Sequence, residues 1–274
     1  MPLQGWIIGA HEFEAHHVFD IWYRNTSDIV PTAVTGDMHS VNKANFAILH
    51  WFGLRFEPRF TDLQEQLKAL YCADNVSLYE KCLIRPIGQI DLQAVMDEKA
   101  NIDQIVATLG LKEMTQGTLI RKLCTYTQPN PTRRAIFEFD KLVRSTCILR
   151  YLRSPQLQRD IQRSQNRIES YHQLRSAITQ VGGKKELIGE TDIAIETSNQ
   201  CGKLIANAII YYNSVILSRL LAKYEAIQDA KALALIKKVS PAAWRHVHLN
   251  GHYTFRGNTQ IIDLDMIVAG LNLA

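Results

Sequence analysis

Apolar and polar positions change period several times along the chain, and each change predicts an element. Leu3–Gly9 (LQGWIIG) is a short apolar run suited to a buried strand. Helical spacing follows over His11–Asn25, with Phe13, His17, Phe19, Ile21 and Trp22 close together on the wheel. Ile29–Thr35 (IVPTAVT) is a second strand-like run. Proline cannot donate to a ladder, so its pairing is expected to begin after Pro31. The run stops at Gly36-Asp37-Met38-His39-Ser40. Ser40 or Asn42 is placed to cap a helix that carries Phe46, Ile48, Leu49 and Phe52 and ends at Gly53. Strand, helix, strand, loop acid and helix make an α/β beginning.

The pattern then turns mostly helical from about Leu63 to Tyr151, with its clearest break at Gln128-Pro129-Asn130-Pro131. A long helix is expected from Pro155 to Val181, with Pro155 in its first turn and Gly182-Gly183 past its end. A second is expected over Asp192–Tyr224, and a looser tail over Ser240–Ala274. Within that second helix, Leu204–Leu217 is the most hydrophobic run. Asn207 and Asn213 interrupt it, which favours a buried helix over a membrane span.

Composition narrows the class only a little. With 274 residues, 46% hydrophobic and 21% charged, the chain has ordinary globular make-up and enough length for a sizeable core. Its net charge of +4 is too small to indicate nucleic acid. Local density says more: nine Lys or Arg fall between Arg144 and Lys185, against Asp160 and Glu169 as the only acids. Such a segment can hold a polyanion, and a solvated helical surface explains it equally well. Cys72, Cys82, Cys124, Cys147 and Cys201 are scattered without a CxxC pair, which predicts reduced thiols and a cytoplasmic setting. The start Met1-Pro2-Leu3-Gln4 has no signal-peptide character.

Two acids are candidates for chemistry. Asp37 follows a predicted strand on a turn preceded by glycine, where a sheet presents a side chain to an open site. By local pattern alone, an Asx turn or helix cap is the stronger reading. Glu169 lies mid-helix. At about 100° per residue it shares a face with Gln162, Gln165, Asn166, His172 and Gln173, opposite Leu157, Ile161, Ile168, Leu174 and Ile178. Arg159, Arg163 and Arg167, four apart, flank that polar face. The pattern suits a metal-held phosphodiester, and it also suits an exposed helix with one glutamate.

Other clusters carry less. His11, Glu12, Glu14, His16 and His17 lack an HExxH pattern and read as a solvated helix face. Trp244-Arg245-His246-Val247-His248, with His252, alternates in a β-like manner and reads as an edge or surface segment. Asp263 and Asp265 read as polar residues in a buried C-terminal segment, and Tyr211-Tyr212 as core packing. Gly202 and Ala206 would permit a close helix–helix approach.

Four segments carry a family resemblance: GAHEFEAHHVFDIWYRNTSDI, GDMHSVNKANFAILHWFGLRFEPRFTDL, NRIESYHQLRSAITQVGGKKELIGETDI and NQCGKLIANAIIYYNSVILSRLL. In this order they resemble the C-terminal catalytic region of Tn-three (class II, replicative) transposases, from about Gly9 onward. The resemblance implies a ribonuclease-H-like core with an Asp-Asp-Glu triad and two divalent ions, usually Mg2+. It places the strand-end Asp of the family at Asp37, with His39 two residues on, and its helical Glu at Glu169. Where the family commonly reads Thr-Asp-Thr-His-Gly, this chain has Gly36-Asp37-Met38-His39-Ser40.

The first Asp of the family lies upstream of the part that matches Leu3–Gly9. The expectation is therefore an incomplete core lacking its first strands, with residues 1–62 as partial α/β core. Residues 63–150 would be a helical insertion, and 151–274 the glutamate helix and helical closure. Asp37 and Glu169 would be catalytic metal ligands, with His39, Asn166 and His172 supporting. Arg153, Arg159, Arg163, Arg167 and Arg175 would contact DNA phosphates. The implied partners are double-stranded DNA and, in the full-length enzyme, a second copy, with no membrane and a bacterial, nucleoid-associated setting. The implied activity is DNA strand cleavage and transfer. With one carboxylate of three lacking, the isolated chain is expected to be inactive. An inactive remnant that still binds DNA is the alternative.

Overall fold

A computed structural model describes residues 7–9, 12–125, 129–180, 189–251 and 263–271, the side chains of residues 124 and 125 excepted. Leu3–Trp6, His11, Gly182-Gly183 and His252, which entered the sequence reading, lie outside them. The elements are α1 (Val18–Tyr23), β1 (Ala33–Val34), α2 (Asn45–Trp51), β2 (Arg55–Phe56), α3 (Leu63–Leu67), β3 (Tyr71–Cys72) and β4 (Gly88–Gln89). Then come α4 (Leu92–Asp97), α5 (Lys99–Gly110), α6 (Gln116–Thr125), α7 (Pro131–Arg153), α8 (Pro155–Gln180), α9 (Asp192–Ala226), α10 (Ala230–Ile236) and α11 (Leu264–Gly270). The architecture is helix-rich and mixed, with a few short strands.

The chain divides into two compact units, Leu3–Gln165 and Asn166–Ala274, the boundary falling inside α8. In the first unit β1 and β2 pair in parallel, with Ala33 opposite Arg55 and Val34 opposite Phe56. The ladder reaches beyond the strands, through Arg55 N–H to Thr32 C=O at 3.1 Å, Glu57 to Val34 at 2.8 Å and Arg59 to Gly36 at 2.8 Å. Pairing does start after Pro31, whose ring would have blocked it. A second parallel pair, β3 with β4, interrupts the region that the sequence pattern gave as mostly helical. Two-residue strands are too short to leave a period in the sequence.

One continuous core serves this unit. Phe19 of α1, Phe46, Ile48 and Leu49 of α2, Phe56, Ile102, Leu109, Leu119, Ile136 and Ile148 are all buried in it. Helices α5, α6 and α7 therefore share their core with α1 and α2. Pro131 starts α7 behind Asn130, whose Oδ1 accepts from Arg133 N–H at 2.9 Å. That is the break read at Pro129–Pro131.

The second unit is built on α9, whose N-cap Thr191 accepts from Ala194 N–H at 3.2 Å. Two apolar clusters hold it. Leu174, Ala206, Ile210 and Ala242 form one, and Leu220, Tyr224, Ala232, Ile236 and Val268 the other. Asn213 is buried and donates to Pro241 C=O at 2.8 Å and Ala243 C=O at 2.7 Å, fastening the turns after α10.

Several expectations change here. Residues 7–9 form no strand. The expected buried helix at Leu204–Leu217 is buried along one face only, and Leu204 and Tyr211 stand 71% and 66% exposed. By length and composition alone α9 could cross a membrane, and 22% of its most apolar window is buried. Residues 244–251 form turns and no β segment. The segment around Asp263 and Asp265 is largely exposed: Asp263 caps α11, and Asp265 pairs with Arg219. His17 is not on a solvated face; its ring lies against Gly117 and its Nε2 is 3.3 Å from Glu12.

Candidate functional site

Asp37 stands one residue past the last ladder bond, at the carboxyl end of β1, where open parallel sheets place their functional loops. It is exposed, and it caps its own turn. Its Oδ1 accepts from the backbone N–H of His39 at 2.9 Å and of Ser40 at 3.3 Å. The capping role read from the local pattern is thus present, yet it uses one carboxylate oxygen. Among the described residues nothing donates to the other.

The loop is held from below. Ser40 is buried and its hydroxyl donates to Asp37 C=O. Gly36 permits this, because a Cβ there would meet Ser40 Oγ at 2.2 Å and Ser40 Cβ at 2.7 Å. Asn45, wholly buried, donates to Ser40 C=O at 2.7 Å and Ala15 C=O at 2.9 Å. Gln116 donates to Asn45 Oδ1, and its own Oε1 accepts from Phe19 N–H at 2.6 Å. Asp20 closes the chain of bonds by accepting from Gln116 N–H at 2.8 Å and Gly117 N–H at 3.2 Å, capping α6. Burial raises the Asp20 carboxyl above its ordinary value, against the pull of those two amides. A buried polar network satisfied this fully fixes one arrangement of the loop above it.

Helix α2 has a second anchor. Its first amides go to Asn42, whose Oδ1 accepts from Ala44 and Asn45 N–H at 2.8 Å each. The next go to Asp140 of α7, 3% exposed, which accepts from Ala47 N–H at 3.0 Å and also bonds Phe46 N–H. Burial pushes the Asp140 carboxyl up to about 7, with the two amides and Arg144 opposing. Asp140 lines a cavity of about 960 Å3 together with Lys43, Tyr71, Glu138, Lys141 and Arg144. The sequence reading missed Asp20, Asn45, Gln116 and Asp140. The visible signal was one polar residue set inside an otherwise apolar helical stretch, as in Val18-Phe19-Asp20-Ile21-Trp22.

Glu169 lies on the exposed face of α8, in the second unit, while Asp37 belongs to the first. Its Oε1 accepts from Gln173 Nε2 at 3.3 Å. Gln162, Asn166, His172 and Gln173 are exposed with it, and Ile161 and Leu174 are buried on the other side, as the wheel predicts. Ile168, placed with the apolar set, is 39% exposed. Arg159 and Arg163 are exposed and make bonds along their own helix, to Gln156 at 3.0 Å and Asp160 at 3.4 Å. Arg153 and Arg167 are exposed as well. Arg175 differs: its guanidinium donates to Asn199 C=O at 3.1 Å and Asn199 Oδ1 at 2.8 Å, lying over Gly202. Among the described residues no three His, Cys, Asp or Glu side chains cluster to hold a metal.

A family model described as the Tn3 transposase DDE domain matches residues 1–253. The chain belongs to that family. Among similar proteins are the transposase for transposon Tn1546 of Enterococcus faecium, 24% identical over 95% of this chain, and that for Tn2501 of Escherichia coli, 26% identical over 90%. The transposase for Tn501 of Pseudomonas aeruginosa is 27% identical over 80% of the chain. The alignments cover 26%, 25% and 22% of those three relatives, so the chain spans about a quarter of the length of the proteins it matches.

Proposed function

We propose that this chain is the DNA-cleaving and strand-joining portion of a replicative transposase, with Asp37 and Glu169 as two of the three carboxylates of a ribonuclease-H-like centre. One observation carries the reading. In a member of this family, Asp37 sits at the carboxyl end of a parallel strand on a loop locked from below, with one oxygen uncommitted among the described residues. Glu169 supports it as an exposed carboxylate on an uncharged polar face.

Hard divalent ions take oxygen donors, and Asp37 Oδ2 and Glu169 Oε2 offer them. These two residues would hold Mg2+, which when bound supplies Lewis-acid stabilisation of charge on the phosphate. The protein contributes position. His39 and Ser40 amides orient Asp37 so that it need not reorganise to bind. Gln173 orients Glu169, with Asn166 and His172 beside it, while His39 is placed to meet a phosphate near Asp37. Arg153, Arg159, Arg163 and Arg167 are exposed, and Arg159 and Arg163 would exchange their surface bonds to Gln156 and Asp160 for backbone phosphates, which sets register on duplex DNA without reading sequence. Arg175, held by Asn199, contributes less to that role.

These 274 residues supply two of the three carboxylates, so alone they are expected to bind duplex DNA and not to cut it. The test pairs two assays on the 274-residue chain. Salt-dependent DNA binding should weaken in Arg163→Ala and Arg167→Ala, each lowering the log–log slope by about 1. Nicking of a transposon-end duplex should stay absent. A flat salt response sinks the DNA reading. Magnesium-dependent nicking lost in Asp37→Ala would overturn the inactivity and leave the assignment of Asp37 standing. In the full-length enzyme, Asp37→Asn or Glu169→Gln should abolish cleavage while leaving DNA binding intact.

A further inference from the structure

The register between β1 and β2 continues past the strands themselves. Arg55, Glu57 and Arg59 each donate a backbone N–H across it, to Thr32, Val34 and Gly36. Ala33 is paired with Arg55, so two residues on Thr35 stands opposite Glu57, and two further on Asp37 stands opposite Arg59. Partners in a parallel pair lie about 4.8 Å apart, with their side chains on one face of the sheet. Val34 and Phe56 pack into the core, which leaves Asp37 and Arg59 side by side on the other face. Both are exposed.

The backbone under Arg59 is clamped. From Phe56 to Phe60 every residue but Arg59 is buried, and the Phe60 ring lies edge-on to Tyr151 at 5.3 Å. Other cations beside this face are already neutralised. Glu57 Oε1 accepts from Arg55 Nε at 3.1 Å and from Arg150 Nη2 at 3.0 Å. Among the described residues the Arg59 side chain makes no ion pair or hydrogen bond, although an acid stands opposite it. A guanidinium carries a permanent charge and five donors in a planar fork, which matches phosphate oxygens. Asp37 spends one oxygen on its turn, and the open one shares its face with that fork. A phosphodiester bound at Asp37 would still have a non-bridging oxygen to offer the arginine.

We propose that Arg59 is a further catalytic residue of the Asp37 centre, donating to a non-bridging oxygen of the phosphate that is cut and joined. The proposal rests on the reading of Asp37 given above. Arg59 forms no covalent bond and gives up no proton. It offsets the charge that gathers on the phosphate as one oxygen adds to phosphorus and another leaves. In single-turnover cleavage of a transposon-end duplex by the full-length enzyme, Arg59→Ala should slow the chemical step at least about hundred-fold while weakening duplex binding only about three-fold. Arg59→Lys should restore part of the rate, since it keeps the charge without the fork. A second readout needs no turnover. In EDTA, replacing the scissile phosphate by a neutral methylphosphonate should cost the parent about three-fold more affinity than it costs Arg59→Ala. Thermal unfolding of the 274-residue chain should be unchanged by Arg59→Ala. A rate within about three-fold of the parent, a rate loss matched by an equal loss of affinity, or equal methylphosphonate effects in the two proteins would each overturn the proposal. So would a rate loss accompanied by lost thermal stability. Asp37→Asn, run alongside, keeps the two readings apart. If it cuts normally, the Asp37 assignment falls and Arg59 with it; if it is silent while Arg59→Ala cuts normally, Arg59 alone is refuted.

Discussion

Asp140→Asn tests the account of how the Asp37 loop is anchored. Asp140 is buried at the start of α2 and its carboxyl is raised from 3.8 to about 7. Each pKa unit corresponds to about 1.4 kcal/mol, so the ionised form is disfavoured in the fold by roughly 4 kcal/mol as an upper bound. The folded state therefore holds a proton that the unfolded chain releases near pH 4. This contribution to stability is fully present below about pH 4, falls as pH rises, and is lost by about pH 7, above which the cost stays level. Asparagine keeps an oxygen to accept from Ala47 N–H and carries no charge. Urea unfolding of the two chains from pH 4 to pH 8 should give equal stabilities at the acid end. The variant should gain about 2–4 kcal/mol over the parent at pH 8. Asp140→Ala separates anchoring from charge: with the Ala47 and Phe46 amides left without an acceptor, it should lose about 1–3 kcal/mol relative to Asp140→Asn at every pH. Parallel profiles for parent and Asp140→Asn across this range would refute the reasoning, because they would mean that burial does not hold the proton on Asp140.

Two more perturbations address other supports. Gly36→Ala drives a Cβ into Ser40, whose buried hydroxyl cannot retreat without losing its bond to Asp37. It should cost about 1–3 kcal/mol by thermal or urea unfolding, with partial recovery when Ser40→Gly is added. Asn213→Ala removes two donors to the 241–243 turns and the 3.0 Å contact with His246 Nε2. The expected outcome is a loss of about 2–4 kcal/mol in the second unit and faster proteolysis around residues 239–251.

Elements with a long period were plain from the sequence. Pro155–Gln180 and Asp192–Ala226 carry many helical turns, so their limits came within a residue or two of those expected. Pro31 and Pro131 act through local backbone chemistry and were legible for the same reason. The two-residue strands β3 and β4 were not, because pairing between distant segments leaves no local trace. The burial of Tyr211 was misjudged since composition cannot distinguish a core face from an outward apolar face. Asp37 was visible as a turn acid. Its support was not, because Asn45, Gln116 and Asp20 find one another only after folding, 71 and 96 residues apart in the bonds that link them.

Those separations have a kinetic consequence. The floor of the Asp37 loop is completed by Gln116, which cannot arrive until α5 and α6 have docked on α1 and α2. Contacts this far apart in sequence form late and slow the search for the native state. The loop should then gain hydrogen-exchange protection at Ser40 and Asn45 together with the amides of Gln116 and Gly117, as one cooperative unit. A candidate catalytic carboxylate would thus be presented only by a chain whose first core has already closed.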